Sequence, residues 1–218
     1  MRLYLIRHGQ TPDNVRGELG TTVPGPGLTD LGLEQAAALP EALAAAGIGA
    51  LSTSTMVRTQ LTAAPLAASL GLVPTVRDGL REVEAGELEL RSDQEAVSTY
   101  LGTVLRWVEG DLDARVPGAE DGQAFFARFD GAVDEVCAGG HDVAAVVSHG
   151  AAIRGWAGRR ASNVDAAFVR AHQLANTGVV VLEGAPAEGW VIVEWADEPV
   201  GGALLADPSA SDPTGDAA

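Results

Sequence analysis

Two histidines of the chain each lie one residue beyond a short apolar run, in settings that suit phosphoryl chemistry. His8 lies in Arg7-His8-Gly9-Gln10-Thr11, after the apolar residues 3–6. His149 lies in Ser148-His149-Gly150, after the apolar residues 143–147. An imidazole attacks phosphorus in line when a guanidinium holds the phosphoryl oxygens, and a neighbouring glycine lets the backbone approach the ligand. The alternative for Arg7 and His8 is an ordinary strand-end histidine beside an exposed arginine.

Two further segments carry ionisable side chains at positions that suit a phosphate site. Arg58 lies in residues 54–63, which follow a short strand and begin a helix, where backbone amides and the helix dipole favour an anion. Glu82 follows the third predicted strand and is a candidate general acid. Taken singly, Arg58 is better explained as a solvated helix arginine and Glu82 as one of several surface glutamates.

The elements that must position these side chains alternate between strand and helix. This alternation predicts a three-layer α/β/α sandwich with a mostly parallel central sheet, in which ligands bind beyond the carboxyl ends of the strands. Residues 12–28 are rich in Gly, Pro, Thr and Asn and are predicted as a long loop. Pro40 is expected to kink or divide the first helix. The predicted strands are residues 3–6, 50–53, 73–76, 143–147, 179–182 and 190–195, and the predicted helices are residues 31–46, 56–70, 92–108, 121–137 and a helix that follows Gly150.

Length and charge limit the classes of protein to which the chain can belong. The 218 residues, 46% of them apolar, suffice for one α/β catalytic domain, which we place at residues 1–196. Residues 197–218 are rich in Gly, Pro, Ala, Ser and Asp and predict a disordered acidic C-terminal tail. The net charge of −16 argues against nucleic-acid and membrane partners. The chain has a single cysteine, Cys137, and neither a signal-peptide core nor a membrane span, so we expect a cytoplasmic protein.

The four segments occur in one order along the chain, and that order resembles the histidine phosphatase superfamily, in its phosphoglycerate-mutase-like group. The similarity covers residues 2–195 approximately and rests on Arg7-His8-Gly9, the helix start at Arg58, Leu80-Arg81-Glu82 and Ser148-His149-Gly150. Leu174-Ala175-Asn176-Thr177-Gly178 is similar to the start of the family's late strand. The resemblance implies an α/β enzyme of the phosphatase branch, a metal-independent phosphomonoester hydrolase that forms a phosphohistidine and needs no cofactor.

The resemblance also implies a role for each matching residue. His8 matches the family's nucleophile and Glu82 matches its proton donor. The cationic side chains of the phosphate pocket would do what a metal ion does elsewhere. We therefore expect catalysis by His8, Glu82, His149, Arg7 and Arg58, substrate binding by Arg7, Asn14, Arg58, His149, Gly9, Gln10 and Thr11, and no metal site.

The chain departs from the family pattern in the region after the proton donor. Gly118-Ala119-Glu120-Asp121 stands where the family often has Gly-Glu-Ser, and we expect this change to affect loop anchoring more than chemistry. Residues 86–90 replace a Gly-rich ending and leave the substrate preference open. Most of the charged side chains in residues 85–120, which should form the roof of the site, are acidic. They predict a small-molecule monophosphate ester with a neutral leaving group, unless Arg16 of the first loop meets a second anionic group.

Two other functions compete with hydrolysis. A phosphoglycerate mutase-type phosphotransferase shares the catalytic set but needs cations that grip a second anionic group, and this chain offers few of them before the second histidine. A catalytically silent phosphate-binding or scaffold protein belongs to another class, and it is disfavoured because every catalytic position is filled. The sequence leaves the assembly open between a monomer and a homodimer. The few cationic side chains between Glu82 and the second histidine, which a mutase would need for a second anionic group, are Arg91, Arg106, Arg115 and Arg128.

Overall fold

A six-stranded sheet forms the centre of the molecule. The computed structural model describes residues 1–210 and 212–215. The strands are β1 (Arg2–Arg7), β2 (Ala50–Thr53), β3 (Thr75–Val76), β4 (Val143–Ser148), β5 (Val179–Ala185) and β6 (Gly189–Trp195). They lie in the order β3-β2-β4-β1-β5-β6. The first four strands of that order pair in parallel, whereas β5 runs antiparallel to both β1 and β6. The mostly parallel sheet predicted from the sequence is therefore confirmed.

Five of the seven helices in the described residues begin at a polar side chain that caps the first turn. The α-helices are α1 (Pro12–Arg16), α2 (Asp30–Ala42), α3 (Val57–Leu70), α4 (Gln94–Glu109), α5 (Gly122–Ala138), α6 (Gly150–Arg160) and α7 (Ala166–Ala171). Thr29, Asp93, Asp121 and Asp165 each accept a hydrogen bond from a backbone N–H of the first turn. Such caps satisfy donors that the start of a helix leaves free. Helices α3 and α6 have no such cap. Within the part of the chain that the structure describes, none of these helices is long and apolar enough to cross a membrane.

Successive strand residues pack into two separate cores, one on each face of the sheet. Leu5 of β1 packs in a core that contains Trp107 of α4, together with residues of α5 and α6. Ile6, the next residue, packs in a core that contains Leu66 of α3, together with residues of α2. Neighbouring side chains of a strand point to opposite faces, so helices cover both sides of the sheet. The predicted three-layer α/β/α sandwich is confirmed.

The helices differ from the sequence prediction in three places. The predicted long loop contains α1, because the side chains of Thr11 and Asn14 each accept a hydrogen bond from the other residue's backbone N–H. Helix α2 ends at Ala42 rather than at Ala46. Pro40 lies within its last turn and does not divide the helix. The sequence did not predict α7, which at six residues is too short to show a helical period.

The segment after residue 197 crosses the surface of the domain, whereas its composition predicts a disordered tail. Leu205 O accepts a hydrogen bond from Gln35 Nε2 at 2.8 Å. The Leu174 N–H donates to Gly215 O at 2.7 Å. The prediction of disorder rests on the shortage of apolar side chains in this segment. Composition does not show that the folded domain offers hydrogen-bond donors to the backbone of the segment. We call residues 201–210 and 212–215 the C-terminal strap.

Candidate active site

The carboxyl ends of β1 and β4 bring the two predicted histidines side by side. The strands pair in parallel with Arg7 opposite Ser148, and the His8 N–H donates to Ser148 O at 3.0 Å. The ring centroids of His8 and His149 are 5.2 Å apart, and the ring planes are inclined at 61°. Both side chains are buried. The structure thus places them at the sheet edge where a parallel α/β fold binds its ligands.

The hydrogen bond of the His8 ring determines which nitrogen is free. Nδ1 lies 2.8 Å from Gly9 O, and because a carbonyl oxygen only accepts, Nδ1 carries the proton. Burial, and then the charges of Arg58 and Arg7, hold the pKa of His8 well below its usual value of 6.5. The ring is therefore neutral at neutral pH. Its Nε2 keeps a lone pair, which is the form that a nucleophile needs.

His149 is held in one orientation by the connection between β2 and α3. Its Nδ1 accepts a hydrogen bond from Arg58 Nε at 3.2 Å. Because that ring nitrogen accepts, Nε2 carries the proton and donates to Ser54 Oγ at 2.8 Å. Burial, and then Arg58 and His8, lower the pKa of His149 well below 6.5. His149 is thus a neutral, fixed side chain beside His8.

The guanidinium groups of Arg7 and Arg58 are buried near the histidines, and each has one nitrogen that finds no hydrogen-bond acceptor in the described residues. Arg58 Nη2 donates to Gly20 O at 3.1 Å, and Arg7 Nη1 donates to Leu174 O at 2.8 Å. Among the described residues, nothing accepts a hydrogen bond from Arg7 Nε or from Arg58 Nη1. Buried donors are rarely left without a partner. The two groups therefore indicate a site that receives an oxyanion.

Glu82 reaches the same site from the loop after β3. Its Oε1 accepts from the N–H groups of Val83 and Ala152 at 2.9 and 2.8 Å, and its Oε2 accepts from the Ala151 N–H at 3.2 Å. The carboxyl therefore lies at the N-terminus of α6. Burial raises the pKa of Glu82 above its usual 4.5, although these N–H groups and Arg58 act in the opposite direction. A raised pKa favours the protonated carboxyl, which is the form that a proton donor needs.

A guanidinium from α5 holds the segment that carries Glu82. Arg128 Nη1 donates to Gly79 O and Arg81 O at 2.9 and 2.8 Å. Its Nη2 donates to Glu82 O at 2.8 Å. The Glu120 carboxylate pairs with the same guanidinium, accepting from Nε at 2.9 Å. The stretch 118–121, which departs from the family pattern, thus anchors the loop of the proton donor through Glu120.

A small cavity lies between these side chains, and part of its wall is acidic. His8, Arg58 and Glu82 line it together with Asp13 and Glu18 from the chain around α1. The other lining residues are Thr11, Asn14, Leu19, Gly20, Thr21 and Thr214. In the described part of the chain, no group of three or more His, Cys, Asp or Glu side chains is placed to hold a metal ion. The cavity therefore offers a nucleophile, a proton donor and a guanidinium to one small anionic group.

Arg7 is covered by the C-terminal strap. Its Nη2 donates to Asp212 Oδ1 and to Thr214 Oγ1, both at 2.8 Å. Asn14 Nδ2 donates to the same Asp212 oxygen at 3.1 Å. Arg7 lines a neighbouring cleft of about 400 Å³ beneath the strap instead of the His8 cavity. The structure thus brings together four of the predicted catalytic side chains and places the fifth, Arg7, behind the strap.

Three residues predicted to bind substrate use their polar groups within the protein. The Gly9 N–H donates to Thr62 Oγ1 at 2.9 Å, and Gln10 Nε2 donates to Asp207 Oδ2 of the strap at 2.9 Å. Thr11 lines the cavity, and its hydroxyl takes part in the cap of α1. These contacts position the loop after β1. Direct contact of Gly9, Gln10 and Thr11 with a substrate stays a prediction.

The sequence did not indicate several polar residues of the site. Ser54, which fixes His149, had a weak signal, because it begins the segment 54–63 that the sequence indicates as a phosphate site. Asp13 had none, since an acidic residue in a Gly- and Pro-rich loop is ordinarily solvated. Asp212 and Thr214 lie in a stretch whose composition predicts disorder, so the sequence provided no reason to expect their contact with Arg7.

Known sequences place this site within one family. The family model of the Histidine phosphatase superfamily (branch 1) matches residues 3–198. The PE-PGRS family protein PE_PGRS11 of Mycobacterium tuberculosis is 38% identical over 216 residues, which cover 92% of this chain but only 37% of that protein. GpmB of Salmonella paratyphi B, named a "probable phosphoglycerate mutase", is 31% identical over 156 residues, or 70% of this chain and 71% of that protein. The chain therefore belongs to the histidine phosphatase superfamily.

Solved structures agree with this assignment. The mycobacterial glucosyl-3-phosphoglycerate phosphatase in complex with VO3 superposes with a TM-score of 0.74 at 26% identity, over 89% of this chain and 98% of that one. The alpha-ribazole phosphatase of Shigella flexneri shares the fold, with a TM-score of 0.70 at 23% identity over 91% of this chain and 97% of that one. Family membership and phosphatase neighbours together support phosphatase activity.

Proposed function

We propose that the chain is a metal-independent phosphomonoester hydrolase that acts on small-molecule phosphates through a phosphohistidine on His8. One observation carries the proposal. The neutral ring of His8, with its proton on Nδ1, shares a cavity with the buried guanidinium group of Arg58, whose Nη1 has no acceptor among the described residues. This arrangement supplies a nucleophile and the stabilisation of an oxyanion with side chains alone.

The first step transfers the phosphoryl group to the enzyme. His8 Nε2 attacks phosphorus, and the N–P bond forms as the P–O bond to the leaving group breaks. Arg58, and Arg7 once it is uncovered, hold the nonbridging oxygens. Glu82 gives its proton to the leaving oxygen, and its raised pKa favours the protonated form that does so. The ring of His8 becomes cationic, and Gly9 O, which accepts from Nδ1–H, stabilises that charge.

The second step returns the enzyme to its starting state. Water attacks the phosphorus of the phosphohistidine while the Glu82 carboxylate takes a proton from that water. The N–P bond breaks, inorganic phosphate leaves, and His8 is again neutral with Nε2 free. The same carboxyl serves as acid and then as base, so each turnover conserves protons at Glu82.

The charges around the cavity favour an ester with a neutral leaving group. Arg16, which the sequence offers as a contact for a second anionic group, pairs with Asp13 and Glu18 at 2.7 and 2.8 Å. Arginines of the roof are paired in the same way: Arg91 with Asp93, Arg106 with Asp111 and Arg115 with Asp121. A second phosphate or carboxylate would therefore meet the acidic wall without a free cation among these arginines. This charge balance supports the proposal of monophosphate ester hydrolysis over a mutase reaction.

The proposal is tested with purified chain that has been dialysed exhaustively against EDTA. The substrates are p-nitrophenyl phosphate, a sugar monophosphate and 3-phosphoglycerate, compared at mildly acidic pH and fixed ionic strength. We expect hydrolysis to survive chelation, and the specificity constant of an ester with a neutral leaving group to exceed that of 3-phosphoglycerate about tenfold.

His8→Asn protein purified in the same way measures any contaminating phosphatase. Loss of activity on chelation that magnesium or zinc restores would show a metal-dependent hydrolase. Isomerisation of 3-phosphoglycerate faster than hydrolysis of any ester would show a mutase. Phosphate binding without turnover of any substrate would favour the silent binding protein.

A further inference from the structure

The C-terminal strap places a carboxylate on the guanidinium that a phosphate group would need. Asp212 binds Arg7 Nη2 through both of its oxygens, with Oδ1 at 2.8 Å and Oδ2 at 2.6 Å. Thr214 Oγ1 accepts from the same nitrogen at 2.8 Å. Asn14 Nδ2 also donates to Asp212 Oδ1, at 3.1 Å. The oxygens of the strap thus take the positions on Arg7 and Asn14 that phosphate oxygens would take.

The strap and a phosphoryl group cannot both bind Nη2 of Arg7, because Asp212 and Thr214 already accept from it. Gly215 lies so close that a Cβ there would overlap Arg7 Nη1. Gly150, at the start of α6, is equally close, since its Cβ would lie 2.5 Å from Thr214 O. Thr214 also lines the cavity of His8. A phosphate ester that reaches His8 and also binds Nη2 of Arg7 must therefore displace this part of the strap.

The contacts that hold the strap are mainly hydrogen bonds and one ion pair, although its residues 212–215 are buried against the domain. Gln35 Nε2 donates to Leu205 O at 2.8 Å, and Gln10 Nε2 donates to Asp207 Oδ2 at 2.9 Å. Leu204 is 98% exposed. The cleft of about 400 Å³ beneath the strap leaves it incompletely packed on the domain. Detachment breaks the buried pair of Arg7 with Asp212, and that loss is offset when a phosphate group takes the place of the carboxylate on Arg7.

We propose that the C-terminal strap is an internal competitor of the substrate, in which Asp212 occupies the phosphate subsite of Arg7. The inference rests on the proposed phosphatase function of the same site. A phosphate dianion carries more charge and more acceptor oxygens than the carboxylate, so it can displace the strap. Competition of this kind weakens substrate and product binding by a factor set by the fraction of molecules in which Arg7 is free.

The test compares wild type with two variants that act on the strap in different ways. Asp212→Asn removes the charge that binds Arg7, whereas Gly215→Ala keeps that charge and pushes the strap off by steric overlap. The dissociation constant of inorganic phosphate is measured by calorimetry, and KM and kcat are measured with p-nitrophenyl phosphate. We expect the dissociation constant and KM to fall together about fivefold in both variants, with kcat changed less than about twofold.

Glu188→Gln is the matched control, because it removes one negative charge from an exposed turn between β5 and β6, away from the site. Its phosphate affinity should equal that of wild type. Phosphate affinity that stays unchanged or weakens in Asp212→Asn and Gly215→Ala would overturn the inference. A fall in kcat with unchanged phosphate affinity would overturn it as well, because the strap would then assist turnover.

The two readouts separate this inference from the proposed function. Calorimetry with inorganic phosphate does not require turnover. Tighter phosphate binding in both variants without hydrolysis of any ester would retain the competitor and reject the phosphatase. Hydrolysis by wild type with equal phosphate affinity in all variants would retain the phosphatase and reject the competitor.

Discussion

The two histidines carry their protons on different ring nitrogens, and each tautomer follows from one neighbour. His8 carries the proton on Nδ1 because Gly9 O can only accept. His149 carries it on Nε2 because Arg58 Nε can only donate. The sequence indicates both histidines, since each lies one residue beyond an apolar run. It does not indicate the tautomers, because they depend on contacts that only the folded chain makes.

Glu82 provides the residue-scale test of proton transfer. Glu82→Gln keeps the shape of the side chain and removes the acidic proton. We expect kcat for an alkyl phosphate to fall about 10²- to 10³-fold, because a poor leaving group needs that proton. The fall should be much smaller for p-nitrophenyl phosphate, whose leaving group is stable as an anion. Steady-state kinetics with both substrates provide the measurement.

The pH profile is the control for the same prediction. The pKa of His8 lies well below 6.5 and that of Glu82 lies above 4.5. Alkyl ester hydrolysis should therefore decline as pH rises through the pKa of Glu82, and decline in acid only where His8 takes a proton. The decline on the basic side should disappear in Glu82→Gln. Equal losses on both substrates, with this decline retained, would show that Glu82 is only structural.

At the scale of elements, three side chains of the site, from separate parts of the chain, meet at the start of α6. His149 is the N-cap of α6, and Glu82 accepts from the N–H groups of Ala151 and Ala152 in its first turn. The parallel pairing of β1 and β4 sets His8 beside this helix start. The order of strands and helices thus accounts for the meeting of residues that are far apart in sequence.

Arg128 provides the test at this scale, because one side chain of α5 holds the loop of the proton donor. It donates to three carbonyl groups of that loop and pairs with Glu120, and both side chains are mostly buried. Arg128→Met leaves Glu120 unpaired, so the free energy of unfolding should fall by about 3 kcal/mol. Activity on an alkyl phosphate should fall more than activity on p-nitrophenyl phosphate, since Glu82 is displaced.

The matched control for Arg128 is Arg106→Met. Arg106 also forms an ion pair, with Asp111, but its side chain is 57% exposed. Its loss should lower the free energy of unfolding by less than about 0.5 kcal/mol and leave the substrate ratio unchanged. Urea denaturation and the two kcat values are the measurements. A substrate ratio for Arg128→Met equal to that of wild type would mean that Arg128 stabilises the domain without positioning Glu82.

Most of the elements could be predicted from local signals, and the exceptions have physical reasons. Apolar runs bounded by polar residues predicted the strands, because a parallel sheet is buried on both faces. Helix α1 was missed because two reciprocal caps, from Thr11 and Asn14, hold a short helix in a stretch rich in loop formers. Helix α7 was missed because it is too short for a period.

At the scale of the whole molecule, composition indicates a strongly acidic protein. It also predicts a disordered tail after residue 197, whereas the described residues of that segment form the C-terminal strap. A net charge of −16 surrounds a site that contains two buried guanidinium groups. The acidic side chains also pair with arginines that could otherwise bind a second anionic group. The strap could not be predicted, because its contact with Arg7 joins residues 205 positions apart and depends on the shape of the folded domain.

The central claim is that His8 carries the phosphoryl group, and the most direct measurement is the site of phosphate on the trapped enzyme. Wild type is mixed with substrate, quenched rapidly without acid, digested and analysed by mass spectrometry, beside His8→Asn and the exposed-histidine control His141→Asn. The account predicts phosphate on His8 in wild type and in His141→Asn, and neither phosphate nor turnover in His8→Asn. Phosphate on a serine, threonine or aspartate, or turnover by His8→Asn at the rate of wild type, would contradict it.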